Sequence, residues 1–262
     1  MVKRRFHLFT SFVWIVGMLM ASPDFSFAEE GPTWQYGLSF SYLTGDYGED
    51  DDTDIFYTAG TIKRYLDKGD VTLTIPYIDI SDDGVTFIDG GAEAVAGVSG
   101  GSGLGDIILK GRYYAVEQDG PLPYIDLVGS IKFPTADEDK GLGTGETDFT
   151  VMAEFARRLE DDAWIVLGEL GYTFVGEPSG YDADNRWLYS VGLAYEVDPK
   201  VTVSGYLDGR TAIFKGNDDP LSILMIGEYK FRPDLRLDTM LELGLNDGAP
   251  DFAITFGIRK RI

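Results

Sequence analysis

Trp34-Gln35-Tyr36-Gly37-Leu38-Ser39-Phe40-Ser41-Tyr42 alternates strictly: Trp34, Tyr36, Leu38, Phe40 and Tyr42 share one face, and Gln35, Gly37, Ser39 and Ser41 share the other. The C-terminal stretch Phe252 to Ile262 repeats the pattern, with Phe252, Ile254, Phe256 and Ile258 against Ala253, Thr255, Gly257, Arg259 and Arg261. A period of two is the mark of a strand with one apolar face, and no long 3.6-residue period competes with it between these two stretches. The chain is therefore all-β.

Worked outward from these ends, the alternation predicts twelve strands at about 34–43, 55–66, 71–80, 105–116, 121–133, 147–159, 163–176, 186–196, 201–213, 220–232, 235–245 and 250–262. The second, from Ile55 to Leu66, alternates poorly, and its faces are not assignable from the pattern. Short polar turns follow the even-numbered strands, such as Asp67-Lys68-Gly69-Asp70, Glu117-Gln118-Asp119-Gly120, Glu160-Asp161-Asp162, Asp198-Pro199-Lys200 and Pro233-Asp234. Mostly longer connections follow the odd-numbered ones, at 44–54, 81–104, 134–146, 177–185, 214–219 and 246–249. Such asymmetry predicts hairpins whose two ends meet different environments, as in a transmembrane barrel with short periplasmic turns and longer outer loops.

The charges predict the same inversion. Asp106, Lys110, Arg112, Asp126, Lys132, Glu154, Arg158, Glu169, Glu196, Asp208, Arg210, Glu228, Lys230, Arg236, Asp238, Glu242, Arg259 and Arg261 fall on the less aliphatic face, nine acids and nine bases. In a membrane barrel that face lines the lumen, and the Leu, Ile, Val, Phe and Tyr of the opposite face meet lipid. Arg157 and Lys260 depart from this but lie near strand ends, where long basic side chains reach the interface. Trp34 and Trp164 are expected on the short-turn side and Trp187 on the long-loop side, as two interfacial girdles. Closure follows because hydrocarbon leaves no partner for an open sheet edge. An even strand count puts both termini in the periplasm. A large soluble sandwich with scattered surface charge is the competing arrangement.

Residues 1–28 carry Lys3, Arg4 and Arg5, an apolar run from Leu8 to Ala21 and a small-x-small site at Ser26-Phe27-Ala28, which predicts a cleaved export signal ahead of a barrel over 29–262. The exported chain then has 19 basic and 43 acidic residues, a net charge of −24, with no His and no Cys. Thiolate sites are excluded and His-based general acid–base chemistry is absent, so the chain is not expected to be an enzyme and no cofactor is expected. Glu154 and Glu169 remain a conceivable carboxylate pair. The negative charge repels nucleic acid. Glu49-Asp50-Asp51-Asp52, flanked by Asp46 and Asp54, and Asp137-Glu138-Asp139 are candidate divalent-cation sites, since Ca²⁺ wants six to eight oxygens; the alternative is a solvated acidic loop.

The stretches Gly101 to Asp106 (GSGLGD) and Lys132 to Phe149 (KFPTADEDKGLGTGETDF) resemble the family of outer-membrane transporters associated with phenol meta-pathway degradation. In that family a Gly-Leu-Gly-Asp element opens a strand and a Lys-x-Pro-Thr-Gly segment leads into a Gly-x-Gly-x-Gly loop. Here Ala136 replaces the Gly after Pro-Thr, while Gly141, Gly143 and Gly145 match. The resemblance implies passage of small, often aromatic or apolar, compounds across an outer membrane.

Two loops bear on function. Gly141-x-Gly143-x-Gly145 precedes strand-like residues rather than a helix, so a flexible outer loop is expected in place of a phosphate cradle. The 24-residue connection 81–104 is mostly Gly, Ala, Val and Ser from Gly90 onward, and either folds inward to constrict the pore or projects as a mobile loop. The resulting expectation is a passive outer-membrane channel whose partners are lipid and small solutes. The alternative is a non-conducting barrel whose acidic loops bind cations or a partner.

Overall fold

The structure is a computed structural model that describes residues 33–88, 91–95, 97–159, 163–178 and 180–262. The expected export signal lies outside the described residues. Its strands are β1 (Trp34–Gly45), β2 (Thr53–Leu66), β3 (Gly69–Ile80), β4 (Val85–Ile88), β5 (Gly91–Ala94), β6 (Ser102–Leu104), β7 (Ile107–Val116), β8 (Tyr124–Phe133), β9 (Asp148–Arg158), β10 (Trp164–Phe174), β11 (Arg186–Asp198), β12 (Val201–Arg210), β13 (Leu221–Arg232), β14 (Leu235–Gly244) and β15 (Phe252–Arg261).

All except β4 and β5 join one antiparallel sheet, which closes through the β1–β15 and β2–β3 pairings. β6 and β7 both pair with β3 and are two halves of a single crossing, so the barrel has twelve staves. The interruption lies opposite Pro76, which has no N–H to give the ladder. There the Gly105 N–H donates to the Pro76 carbonyl (3.0 Å), and a Cβ on Gly105 would approach the Ile78 side chain to 2.6 Å.

The start of β1 and the end of β15 sit on the short-turn rim. The Trp34 N–H donates to the Ile262 carbonyl (3.2 Å) and the Ile262 N–H to that of Trp34 (3.0 Å), completing the seam. Trp34, Tyr36, Leu38 and Phe40 point outward and are exposed, whereas Gln35, Ser39 and Ser41 point inward and are buried. This is a sheet turned apolar-side out, the arrangement hydrocarbon requires. Trp34 and Trp164 lie at the short-turn rim and Trp187 at the opposite one; Arg64 stacks on Trp34 at 4.9 Å, and Arg157 reaches back to the Pro121 carbonyl (2.6 Å).

With every crossing hydrogen-bonded to two neighbours, the sheet should survive detergent at room temperature and open on boiling. We expect the unboiled protein to migrate differently from the boiled protein on a gel, with an all-β circular dichroism spectrum. A chain that folds and stays monodisperse without detergent would contradict the outward apolar face.

Candidate functional site: a plugged lumen

Burying charge inside a barrel is costly unless each group finds a partner. The interior is built accordingly. Arg112, with a fully buried side chain, meets Glu154 (2.9 Å), Asp126 (3.6 Å) and Asp70 (3.9 Å), and Lys63 adds a contact to Asp70 (3.7 Å). Across the lumen Arg259 binds Asp238 (2.6 Å) and Glu228 (2.6 Å), and Arg236 binds Glu228 (3.0 Å). Near the outer rim Lys132 bridges Asp106 (3.2 Å), Asp148 (2.8 Å) and the Thr144 hydroxyl (2.9 Å). Arg158 pairs with Glu196 (2.7 Å) at the short-turn end.

Of the other inward charges, Lys110, Glu169, Arg210 and Glu242 are buried, and Asp208 and Lys230 are half-buried. Glu169 stands in register with Glu154, and Glu242 accepts from the Ser222 hydroxyl (2.6 Å). Arg261 donates to the Tyr65 hydroxyl (2.9 Å) and stacks on its ring (4.5 Å). Pattern reading overlooked Lys63, Asp70, Glu93, Asp148 and Arg186. Arg186 shares parity with Ser190, Ala194 and Glu196, and that signal would have placed it inward.

The outer half of the lumen is filled by described residues of the connection between β3 and β6. Its β4–β5 strands pair only with each other, as a small hairpin inside the barrel. Val85, Phe87 and Ala92 are buried, in one apolar cluster with Leu43, Ile55, Tyr57, Ile78 and Ile80 of the wall, and Phe87 packs on Tyr57 with ring centroids 5.0 Å apart. On the far side Glu93 takes a hydrogen bond from Arg186 Nη2 (2.6 Å) and one from the Ile213 N–H (3.0 Å), while the Asn217 side-chain amide donates to the Ala94 carbonyl (3.0 Å). A Cβ on Gly91 would collide with the Arg210 guanidinium, so the hairpin approaches that wall as closely as glycine permits. The loop therefore folds inward.

The glycine loop, expected to be a flexible outer loop, is packed against the hairpin. Gly141, Leu142, Gly143 and Thr144 are all buried. The Gly141 carbonyl accepts from the Phe87 N–H (2.8 Å) and the Thr86 hydroxyl (3.1 Å), which clamps the hairpin. Gly141 has φ of 67°, and a Cβ there would lie 2.6 Å from the Val85 carbonyl oxygen; one on Gly143 would lie 2.6 Å from Asp106 Oδ2. Asp106, which ends the Gly-Leu-Gly-Asp element, accepts from the Thr135 and Ala136 N–H groups (both 3.0 Å). The two sequence motifs thus form one junction, whose work is to fix the clamp on the barrel rim.

Outside the membrane-spanning strands, the acidic stretch Glu49 to Asp52 is largely exposed and Asp137 pairs with Lys140 (3.3 Å). Among the described residues no three carboxylates come together to hold a metal ion.

A closed twelve-crossing sheet, apolar outside and charged inside, with short turns at one rim and a folded-in loop at the other, defines an outer-membrane β-barrel. The chain matches the family described as "Putative MetA-pathway of phenol degradation" over residues 68–262, and it belongs to that family. No curated protein matches it in sequence. Among solved structures it resembles an outer membrane channel from Pseudomonas putida F1 (TM-score 0.67, 13% identity, covering 90% of this chain and 97% of that one). It also resembles the NanC porin (TM-score 0.57, 9% identity, 87% and 100%) and the translocator domain of the autotransporter NalP from Neisseria meningitidis (TM-score 0.55, 11% identity, 89% of each chain). At these identities the likeness is one of fold.

Proposed function

We propose that the protein is a passive outer-membrane channel for small neutral or apolar solutes, closed at rest by the β4–β5 hairpin and open when the hairpin withdraws. The observation that carries this reading is the hairpin's independence from the barrel ladder: it can leave without breaking a single inter-stave hydrogen bond. Two-stranded hairpins are marginal by themselves, so this one holds its place through its contacts with the wall.

The lumen's chemistry supports the solute class. Asp106, Lys110, Arg112, Asp126, Lys132, Glu154, Arg158, Glu169, Asp208, Arg210, Glu228, Arg236, Asp238, Glu242, Arg259 and Arg261 act as lumen-lining residues that set selectivity, largely by cancelling one another. Between these charged sectors stand Leu167, Leu224, Ile226 and Met240, all buried and inward. A path with matched charges and an apolar middle suits small aromatic solutes better than sugar acids. No residue of this reading performs catalysis and the gradient supplies the drive. The acidic outer loops act on cations as a negative field at the mouth.

Uptake into proteoliposomes, compared across phenols, fatty acids, sugars and sugar acids, tests the reading. Phenols should enter fastest. Uptake led by sugar acids, or no uptake of any class, would overturn it in favour of a structural barrel.

A further inference from the structure

Tyr47 belongs to the first outer connection, yet its side chain is only 3% exposed and lies in the buried apolar cluster with Leu43, Met240 and Ala253. Its φ is 52°, the one positive value found at a non-glycine residue among the described residues. A bulky side chain rarely tolerates that conformation, and such strain persists only where surrounding contacts impose it. The inserted phenol also fails to satisfy itself, because its hydroxyl has no hydrogen-bond partner among the described residues.

Leu43, Ala253 and Glu242 stand in one buried register row across β1, β15 and β14, just below the connection that carries Tyr47, and burial, with Glu242 next, pushes the phenol above its ordinary range. Glu242 is itself half satisfied: Oε1 accepts from Ser222, whereas Oε2 is buried without a hydrogen-bond partner among the described residues. A buried donor and a buried acceptor, each unmatched, therefore belong to the same sector of the lumen. Tyr47 reaches that sector tethered to a strained backbone and does not complete the bond.

We propose that the slot filled by the Tyr47 ring is a solute subsite for a protonated monocyclic phenol, with Glu242 as hydrogen-bond acceptor and Tyr47 as a built-in competitor. A free phenol has no tether, so it can turn its hydroxyl onto Glu242 while its ring keeps the apolar contacts. Tyr47 then swings out to the loop and its backbone strain is released. The slot deepens the channel reading by naming one station on the path. Because the competitor is covalently attached, it lowers the apparent affinity of any solute by the fraction of molecules in which the slot is free.

The test is calorimetric titration of the full folded barrel in detergent with 4-methylphenol, the untethered counterpart of the tyrosine side chain, and with toluene as the control lacking a hydroxyl. Tyr47→Ala should bind 4-methylphenol at least about tenfold more tightly than the parent protein, consistent with removal of an occupying group. Tyr47→Phe, which keeps the ring in the slot, should show no such gain. In the Tyr47→Ala background Glu242→Gln should weaken 4-methylphenol by about tenfold and leave toluene unchanged, the size of one charge-assisted hydrogen bond. Tyr47→Gly suits the positive φ and provides the same opening if the alanine variant folds poorly. Absence of tightened binding in both opened variants, or equal binding of the two ligands regardless of Glu242, would overturn the subsite. Binding is read here without flux, so a subsite that binds in a barrel that passes nothing would count against the channel alone.

Discussion

Replacing Glu93 with alanine should turn a mostly silent barrel into a conducting one. Arg186 and Glu93 have side chains 1% and 3% exposed and 2.6 Å apart, so removing the carboxylate takes its counter-charge from a buried guanidinium and its acceptor from the Ile213 N–H. Breaking one half of a buried pair costs about 3–5 kcal/mol. Here the loss falls on the docked state of the hairpin, since withdrawal already separates Glu93 from Arg186 of β11. A change of that size shifts the docked-to-withdrawn ratio by roughly 100-fold or more. Single-channel recordings in planar bilayers should show frequent openings in Glu93→Ala where the parent protein rarely opens. Replacing both partners, as Glu93→Leu with Arg186→Met, restores packing without a stranded charge and should return the channel towards silence. Unaltered opening in Glu93→Ala would mean that the hairpin is not the gate.

The barrel itself was legible because lipid and lumen impose opposite chemistry on alternate residues, and β1 and β15 display that in full. β2 did not, for a physical reason now visible: its inward residues Ile55, Tyr57 and Ala59 are apolar because they pack against the plug rather than against water, so both of its faces read alike. The fourth crossing, expected over 105–116, also includes β6 (Ser102–Leu104), which the pattern leaves in the connection 81–104, because the ladder fails opposite Pro76, on a neighbour some thirty residues earlier in the chain. The glycine loop suggested mobility, since glycine's freedom can serve either motion or close approach, and only the Val85 carbonyl beside Gly141 decides between them.

The site was less legible than the fold. Asp106, Arg112, Glu154, Asp238 and Arg259 declared themselves through parity, but their pairing depends on which staves adjoin and at what register. Glu93 had no periodic signal at all. It is a solitary charge in a run of glycine, alanine and valine, and its partner lies 93 residues away. A single acid in an otherwise neutral small-residue loop is itself a usable clue, since its solvation has to be replaced if the loop folds inward.

The same reasoning sets the largest expected effect on the barrel wall at Arg112. Its guanidinium is surrounded by Glu154, Asp126 and Asp70, contributed by three other staves, and Lys63 also contacts Asp70. Arg112→Met retains much of the side-chain volume and removes the charge, leaving three buried carboxylates facing one another. The loss should reach about 3–5 kcal/mol, the range for a broken buried ion pair, with mutual repulsion of the acids adding to it. Urea unfolding in detergent, followed by the change in gel mobility, should show a clearly lowered midpoint. Arg261→Met, which gives up a half-buried stack on Tyr65, should move it far less. Coupling is the decisive feature. Glu154→Gln added to Arg112→Met removes one of the stranded charges, so the double variant should be more stable than Arg112→Met alone, although Glu154→Gln on its own destabilises. Strictly additive losses would mean that Arg112 contributes through packing and that the charges around it are already screened by water in the lumen.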